Sequence, residues 1–361
     1  MPLPSSPDPI SASQIRNELF DNNPVSLSEF QGDRVWNGSS FENLPSGQIS
    51  YGNFRGRSYA YSVDILLVGG GGGGGNGGGD GAGGGGGGGQ LKILTNVEMR
   101  NTGETVFVDI GNGGVGAPGQ ASKGSTGETT TFTGYGSAAG GGGGSTNSKD
   151  GAAGCSGGGG GAEAGANNIG NGGTSNCGAG GGGNNGGYGS QNDNTENERS
   201  AGGGGGGYGA DDLSPDSNAT PTQSGYGRRG YNLDNFMGSS ARTSAGLNSG
   251  VAGGGGGAQA GTGSRGQGRD GGGQGAGFLQ RLPDQGIDGT GGGGGGGTNN
   301  LDGSFDDNGT PNPDGARGGN GLVIVRYSKS NPSGQVGGGG NVYSDDNYYY
   351  HVFTSDTNYT M

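Results

Sequence analysis

The stretch that decides the fold is VDILLVGGGGGGGNGGGDGAGGGGGGGQ, residues 63–90, in which a short apolar strand leads directly into glycine. Several registers of it match G-x-G-x-x-G, the phosphate-binding turn of dinucleotide sites. That turn needs a helix immediately after the glycines, because the helix N-terminus holds the pyrophosphate. Glycine is about 1 kcal/mol per residue worse than alanine in a helix, and the next apolar segment, QLKILTNVEMR, has the pattern of a strand. The stretch therefore does not predict a nucleotide site.

Glycine dominates the whole chain, with 104 glycines in 361 residues and only 25% hydrophobic residues. A conventional core cannot offset the entropy of ordering so much glycine, which leaves a coil or a packing built from glycine itself. The glycines occur in runs that are separated by other segments. Two predicted strands, YAYSVDILLV and GLVIVRYS, frame the set of runs, and this arrangement argues against a plain coil. The runs lie at 69–79 (broken by Asn76), 83–89, 140–144, 157–161, 180–183, 202–207, 253–257, 271–277 (broken by Gln274 and Ala276) and 291–297.

Glycine runs have a suitable extended form, a left-handed helix with three residues per turn that rises about 3.1 Å per residue. Its amides and carbonyls point outward, so neighbouring helices without Cβ atoms can hydrogen-bond on several sides. Each such bond contributes only about 1 kcal/mol, so we expect a cooperative bundle rather than isolated helices. The predicted fold class is mainly β and irregular, a sandwich of these polyglycine-II helices on a small framework of β-strands.

The chain divides into four predicted regions. Residues 1–47 contain two capping-box spacings and predict short helices at about 12–20 and 27–31, either a docking segment or a frayed tail. Strands with the first glycine runs occupy 48–135, the bundle with its loops 136–320, and closing strands 321–361. In the first region the expected attachment residues are Ile15, Leu19, Phe20, Leu27, Phe30 and Trp36.

The net charge of −13 is the wrong sign for a nucleic-acid or anionic-membrane partner. No apolar stretch is long enough to span a membrane, and the N-terminus lacks the pattern of a signal peptide, so we expect synthesis in the cytoplasm. Four N-x-S/T sequons are expected to be chance matches in an Asn- and Ser-rich chain.

Residues for catalysis or metal binding are scarce, so no cofactor, metal site or enzymatic activity is predicted. His351 is the only histidine, and in the strand-like YYYHVF it is expected to be a packing residue. Acidic clusters such as QNDNTENERS do not fit a calcium loop and are expected to be solvated, with a calcium site as the less favoured alternative. Cys155 and Cys177 could remain free thiols, which we favour, or form a disulfide worth about 3 kcal/mol.

Several strand motifs, in their order along the chain, resemble those of the glycine-rich domains of tailed-phage fibre and adhesin proteins. The resemblance rests on VDILLVGGGGGGG, LKILTNVEMR, TVFVDIGNGG, TTFTGYGSAAGGGGG and GLVIVRY, which follow one another in the order typical of those domains. ISASQIRNELFDNNPVSLSEFQG is similar to a leader of tailed-phage structural proteins, and YHVFTSDTNYT to the opening strand of such a domain. A related region in some receptor tyrosine kinases is the weaker comparison.

The resemblance implies a non-enzymatic virion protein, a tail fibre or adhesin that binds a host glycan or outer-membrane protein and contacts other virion proteins. Fibre symmetry favours a homotrimer. The alternative is a capsid or tail decoration that binds no host; a glycan hydrolase is disfavoured because no acid/base pair is apparent.

Counting the runs alternately up and down predicts which loops lie at the tip. Loops 76–82, 145–156, 184–201, 258–270 and 298–320 fall there, and 162–179, 208–252 and 274–290 fall at the base. The expected receptor contacts are Asn192, Asp193, Asn194, Glu196, Arg265, Arg269, Phe305 and Asp306. If the count is off by one, the contacts become Tyr226, Arg228, Tyr231 and Phe236, whose chemistry suits recognition better.

Overall fold

The computed structural model describes most of the chain between residues 31 and 360. The described residues are 31–37, 39–48, 50–54, 58–78, 81–100, 105–119, 121–163, 169–177, 182–192, 199–209, 218–220, 222–277, 282–298, 314–329 and 338–360. The predicted N-terminal helices, with Ile15, Leu19, Phe20, Leu27 and Phe30, lie outside them.

Two antiparallel sheets form one end of the molecule, which we call the sheet end. Their strands are β1 (Arg34–Trp36), β2 (Phe41–Asn43), β3 (Ser58–Val68), β5 (Leu91–Arg100), β6 (Thr105–Asp109), β7 (Thr130–Phe132), β8 (Gly136–Ala138), β15 (Leu322–Ser328), β16 (Asn341–Ser344), β17 (Tyr348–Phe353) and β18 (Thr357–Thr360). The larger sheet has the order β16-β17-β15-β3-β1-β2, with β5 also paired to β3, and the smaller has the order β18-β6-β7-β8. The strands predicted from YAYSVDILLV, QLKILTNVEMR, TVFVDI, TTTFTGYG and GLVIVRYS are thereby confirmed.

Side chains form the core of the sheet end, because β3 is apolar on both faces. Ile65 and Leu67 point into one apolar cluster, which includes Phe132 and Tyr359 from the smaller sheet. Leu66 and Val68 point into a second cluster. The second cluster is covered by residues 231–251, which contain β12 (Tyr231–Asn232), a 3-10 turn (Leu233–Asn235), the helix α1 (Ser239–Ser244) and β13 (Gly250–Val251). A second 3-10 turn covers Tyr51–Phe54.

Extended segments with a three-residue period form the rest of the molecule, and we number them g1 to g17 along the chain. In g1 (69–77), amides three residues apart donate to the same neighbour. Gly69, Gly72 and Gly75 donate to g2 (83–90), Gly70, Gly73 and Asn76 donate to g4 (122–128), and Gly71 and Gly74 donate to g17 (314–320). The carbonyls of g1 accept from three other segments, g3 (111–117), g5 (139–145) and g16 (291–297). This alternation around a threefold chain is the hydrogen-bonding pattern expected of polyglycine II, and it confirms the predicted fold class.

Seven glycine segments form the interior of the bundle. The central one, g2, donates its amides to g5, g10 and g16 and accepts at its carbonyls from g1, g7 and g12. Those six surround it, and each is bonded to the next around the ring. The interior segments are g1 (69–77), g2 (83–90), g5 (139–145), g7 (156–161), g10 (202–207), g12 (253–258) and g16 (291–297).

Glycine is required inside the bundle because no space is left for a Cβ atom. A Cβ on Gly86, at the centre of g2, would overlap the carbonyl oxygen of Gly72 in g1. The obstacle is backbone, which is itself held by hydrogen bonds and cannot rotate away. Uninterrupted runs of five or more glycines in the sequence therefore mark the interior segments.

Segments of mixed sequence form the perimeter of the bundle. In g3 the residues Asn112 and Val115, three apart, are exposed while the glycines between them are buried. The perimeter segments are g3 (111–117), g4 (122–128), g6 (149–155), g8 (170–176), g9 (184–189), g11 (224–230), g13 (264–270), g14 (271–276), g15 (284–290) and g17 (314–320).

The perimeter segments show that the alternating count of pure runs is wrong. Each predicted loop after 76–82 contains one or more perimeter segments that cross the bundle, so the chain reverses more often than the count assumed. Ala162 and Glu163, in a loop assigned to the base, lie at the end away from the sheets, since the amide of Gly170 bonds the carbonyl oxygen of the preceding Gly161. Within 258–270, Gly266 bonds Gly257 at that end, and Arg269 bonds Gly254 near the sheets.

Cys155 and Cys177 form a disulfide, the less favoured of the two alternatives. It joins the end of g6 to the residue that follows g8, and both lie near the sheet end.

A tight reversal between g13 and g14 uses positive φ at Asp270 (46°) and Gly271 (93°).

Candidate functional site at the distal end of the bundle

The end of the bundle away from the sheets, which we call the distal end, collects the connections between outgoing and returning segments. Two small sheets lie there. One pairs β4 (Gly81–Ala82) with β9 (Ala162–Glu163), and the other joins β10 (Ser190–Asn192), β11 (Arg199–Ala201) and β14 (Gln259–Ala260). Backbone hydrogen bonds of these two sheets thus join several of the connections to one another at the distal surface.

Small polar side chains end the interior segments at this surface. Thr146 donates its hydroxyl to the carbonyl oxygen of Asn76 at 2.7 Å, and Thr298 donates to that of Gly81 at 2.9 Å. Ser224 donates to the carbonyl oxygen of Ala258 at 2.6 Å. Because these carbonyls lie where the lattice of glycine bonds stops, the hydroxyls complete the bonding of the segment ends.

Two of the predicted receptor contacts are placed at or near the distal end. Asn192 is the last residue of β10. Arg265 is the second residue of g13, and its Nη1 donates to the carbonyl oxygen of Leu282 at 3.5 Å. The remaining predicted tip contacts, Asp193, Asn194, Glu196, Phe305 and Asp306, lie outside the described residues.

Arg269 lies farther toward the sheets on g13, with its guanidinium carbon 5.8 Å from the ring centroid of Tyr226 on g11. Tyr226 belongs to the alternative contact set, as does Arg228 on the same segment. The structure therefore brings one member of each predicted set together on one lateral side of the bundle, where the Arg269 guanidinium lies next to the Tyr226 ring.

The other alternative contacts belong to the sheet end. Tyr231 is half-buried and meets Tyr208 edge to face, with ring centroids 6.1 Å apart. Phe236 is 3% exposed, and the guanidinium of Arg326 lies over its ring at 4.3 Å. Phe236 is a core residue and is not accessible as a receptor contact in this conformation; the sequence alone did not distinguish a buried aromatic from an exposed one.

The expected attachment residue Trp36 lies in β1, with its ring centroid 4.9 Å from that of Phe41 in β2. This hairpin pairs with the first residues of β3, since Val35 is opposite Tyr59. It therefore lies at the far end of the sheet from the glycine bundle.

Titratable groups at the sheet end are mostly occupied in packing. His351 is fully buried; its Nε2 lies 3.0 Å from the Tyr327 hydroxyl and its Nδ1 2.9 Å from the carbonyl oxygen of Gly339. Burial raises the pKa of Tyr61 to about 12 and that of Tyr359 well above its ordinary value. In the described part of the chain, no three His, Cys, Asp or Glu side chains group as metal ligands.

Sequence reasoning missed the outward side chains of the perimeter segments. The signal is a residue other than glycine at every third position, as Asn112, Val115 and Pro118 in GNGGVGAP. That spacing places one residue per turn of a threefold helix on the same side.

The geometry defines a polyglycine scaffold with a β-sheet framework at one end and connections at the other. A family model described as a glycine-rich domain matches residues 47–328, so the chain belongs to the glycine-rich domain family. No curated protein matches the sequence. Within the described ranges, no helix has the length and apolar character needed to cross a bilayer.

Proposed function

We propose that this protein is a non-enzymatic fibre or adhesin of a phage virion that binds the host surface through connections at the distal end of its bundle. The observation that carries the proposal is that the molecule has two different ends. The hairpin of β1 and β2, which follows the N-terminal segment, lies at one extreme, and the connections between glycine segments lie at the other.

The distance between the β1–β2 hairpin and the distal connections can be estimated from the lengths of β3 and g1. β3 has eleven residues, about 35 Å at 3.3 Å per residue, and g1 continues away from the sheet for about 25 Å more. An N-terminal segment attached to a particle would therefore hold the distal connections well away from the particle. Connections on a rigid scaffold are where recognition residues are usually found.

The proposed partners are other virion proteins at the N-terminal segment and a host glycan or outer-membrane protein at the distal end. Assembly as a homotrimer is proposed from fibre symmetry. The resemblance of the strand motifs to tailed-phage fibre domains supports the location on a virion.

The test is competition for host adsorption by the purified protein. Replacing connections 193–198 and 299–313 with Gly/Ser linkers of equal length leaves g9, g16 and g17 intact, and we expect it to abolish competition. The matched control replaces 330–337, which follow Lys329 at the sheet end, and should compete like the unmodified protein.

If neither the unmodified protein nor the control competes, the proposed receptor binding is wrong and a decoration role is favoured. If the distal replacement still competes while a replacement of Tyr226 and Arg269 does not, binding belongs to the lateral surface of g11 and g13.

A further inference from the structure

The tetrapeptide Gly-Asn-Gly-Gly occurs three times in the chain, and the structure places the three copies in different surroundings. They lie at 75–78 at the end of g1, at 111–114 in g3 and at 170–173 in g8. Asn-Gly is the dipeptide most prone to deamidation, because a glycine without a Cβ lets its amide nitrogen approach the asparagine side chain. Since the local sequence is the same in the three copies, a difference in their reactivity has to come from the fold.

Deamidation at such a dipeptide is an attack of the backbone on the side chain. The amide nitrogen of the glycine loses its proton and forms a bond to Cγ of the asparagine, while the Cγ–Nδ2 bond breaks and the side-chain nitrogen leaves as ammonia. Water then opens the cyclic imide at either of its two carbonyls, which gives aspartate or isoaspartate. One water is consumed for each ammonia released. The reaction therefore depends on whether the glycine amide is free to attack.

The amide of the glycine after the asparagine is hydrogen-bonded in two of the three copies. Gly77 donates to the carbonyl oxygen of Gly297 at 3.2 Å, and Gly113 donates to the side-chain Oδ1 of Asn320 at 3.0 Å. The amide of Gly172 has no acceptor among the described residues. Because a donating amide must leave its acceptor before it can attack, local opening has to precede the reaction in the first two copies and not in the third.

Asn112 and Asn171 have closely similar environments in other respects. Both are exposed, and each donates its backbone amide and its Nδ2 to one carboxylate oxygen of a neighbouring segment. Asn112 donates to Oε2 of Glu128, at 3.2 and 2.8 Å respectively. Asn171 donates to Oδ1 of Asp150, at 2.8 and 3.2 Å. The two sites thus form a matched pair that differs in the acceptor of the next amide.

We propose that Asn171 is a site of spontaneous deamidation and that the bundle protects the other copies of the tetrapeptide. Asn76 is protected twice, since it is 1% exposed and the amide that follows it is bonded. A further Asn-Gly-Gly site, at Asn185 in g9, is also protected, because the amide of Gly186 donates to the carbonyl oxygen of Gly173 at 3.0 Å.

Conversion of Asn171 changes the distal end of the bundle. Asn171 follows Gly170, whose amide bonds the carbonyl oxygen of Gly161 at that end. An aspartate at this position no longer donates from its side chain and places a second carboxylate against Asp150. Isoaspartate also lengthens the backbone by one methylene group, which disturbs the three-residue period of g8. Both products weaken the contact between g6 and g8, in which the amide of Gly151 donates to the carbonyl oxygen of residue 171 at 2.9 Å.

The test follows each asparagine by peptide mapping and mass spectrometry while the full chain is incubated at mildly alkaline pH, where amides lose their protons faster. We expect Asn171 to convert about tenfold faster than Asn112 or more, because only Asn112 requires a local opening first. Asn76 should convert most slowly. In denaturant the three copies should convert at similar rates, since their local sequences are identical.

The variant that isolates the hydrogen bond is Asn320→Ala, which removes the acceptor of the Gly113 amide. We expect it to raise the rate at Asn112 about fivefold or more and to leave the rate at Asn171 unchanged. The matched control is Asn320→Asp, which keeps an acceptor oxygen and should leave Asn112 protected. Asn171→Gln should remove the fastest release of ammonia, because glutamine would have to close a larger ring.

Two results would overturn the proposal. The first is conversion of Asn171 in the folded protein at a rate no higher than that of Asn112, a comparison that needs no variant. The second is equal conversion of Asn112 in Asn320→Ala and Asn320→Asp, which would show that the bonded amide is not what protects this site.

Discussion

The central glycine segment g2 and the central strand β3 are both fully enclosed, but by different means. β3 is covered on its two faces by apolar side chains, with Ile65 in one cluster and Leu66 in the other. The segment g2 is surrounded by six other backbones and contributes hydrogen bonds in every direction. The comparison shows that a protein interior can be made of peptide groups as well as of hydrocarbon.

The two interiors differ in what a substitution does to them. An apolar core loses about 2–5 kcal/mol when a large side chain is truncated, because a cavity remains. The glycine interior has no side chain to truncate and is sensitive only to addition. Each of its bonds contributes about 1 kcal/mol, so its stability comes from the number of bonds formed together.

The largest effect is expected from Gly86→Ala, because the new Cβ would overlap the carbonyl oxygen of Gly72. We expect a loss of about 3 kcal/mol or more in the free energy of unfolding. Chemical denaturation followed by far-ultraviolet circular dichroism would measure it.

The matched control is Gly47→Ala, since nothing lies within 4 Å of a Cβ at that position. It should be neutral or slightly stabilising, because alanine restricts the unfolded chain. Equal stability of the two variants would contradict an interior closed to side chains.

Reduction of the Cys155–Cys177 disulfide should have the next largest effect. It links residues 22 apart in sequence, and cross-links of this length contribute about 3 kcal/mol through the unfolded state. We expect the denaturation midpoint to fall on reduction, and a double serine variant to match the reduced protein under oxidising conditions. An unchanged midpoint would show that g6 and g8 are held by backbone bonds alone.

Alkaline pH should affect the sheet end before the glycine bundle. Burial raises the pKa of Tyr61 to about 12, so the folded protein keeps this proton while the unfolded chain releases it above about pH 10. The corresponding stability is complete below about pH 10 and is lost as the pH rises to about 12, by roughly 1.4 kcal/mol per unit.

Tyr61→Phe should flatten this decline, and Tyr188→Phe, at an exposed tyrosine on g9, should not. Unfolding free energies measured between pH 8 and 11.5 would test both variants. A decline that is identical in the two variants would assign the alkaline sensitivity to other groups.

The smallest effect is expected on the perimeter of the bundle. Val115 is 62% exposed on g3, so Val115→Ser should change the free energy of unfolding by less than about 0.5 kcal/mol. A larger loss, measured by the same denaturation experiment, would indicate that this face of the bundle is covered in solution.

The sequence predicted the elements whose pattern is local. Continuous apolar runs identified β3 and β15, and long uninterrupted glycine runs identified the interior segments, because both follow from which side chains a position tolerates. The perimeter segments have the composition of loops, because a polar residue recurs at every third position among glycines. Their bonds to distant segments, such as Gly114 to Gly71, become apparent only in the assembled bundle.

The candidate site was less predictable for the same reason. Which end of the bundle a connection reaches depends on how many segments precede it. Each segment that is not recognised in the sequence therefore moves the following connections to the opposite end in the prediction. The proximity of Arg269 and Tyr226 joins two segments whose residues are about forty positions apart, and no local pattern encodes that pairing.

The hydroxyl groups at the ends of the interior segments also fix the register of these segments relative to one another. A run of identical glycines contains no information about its own position, because sliding it by three residues restores every bond with a neighbour. Only the residues that differ can distinguish one alignment from the next, and in this molecule they are Asn76, Thr146 and Thr298 at one end and the strands at the other. The uniform interior supplies cohesion, and these few terminal residues select one arrangement among many of nearly equal energy.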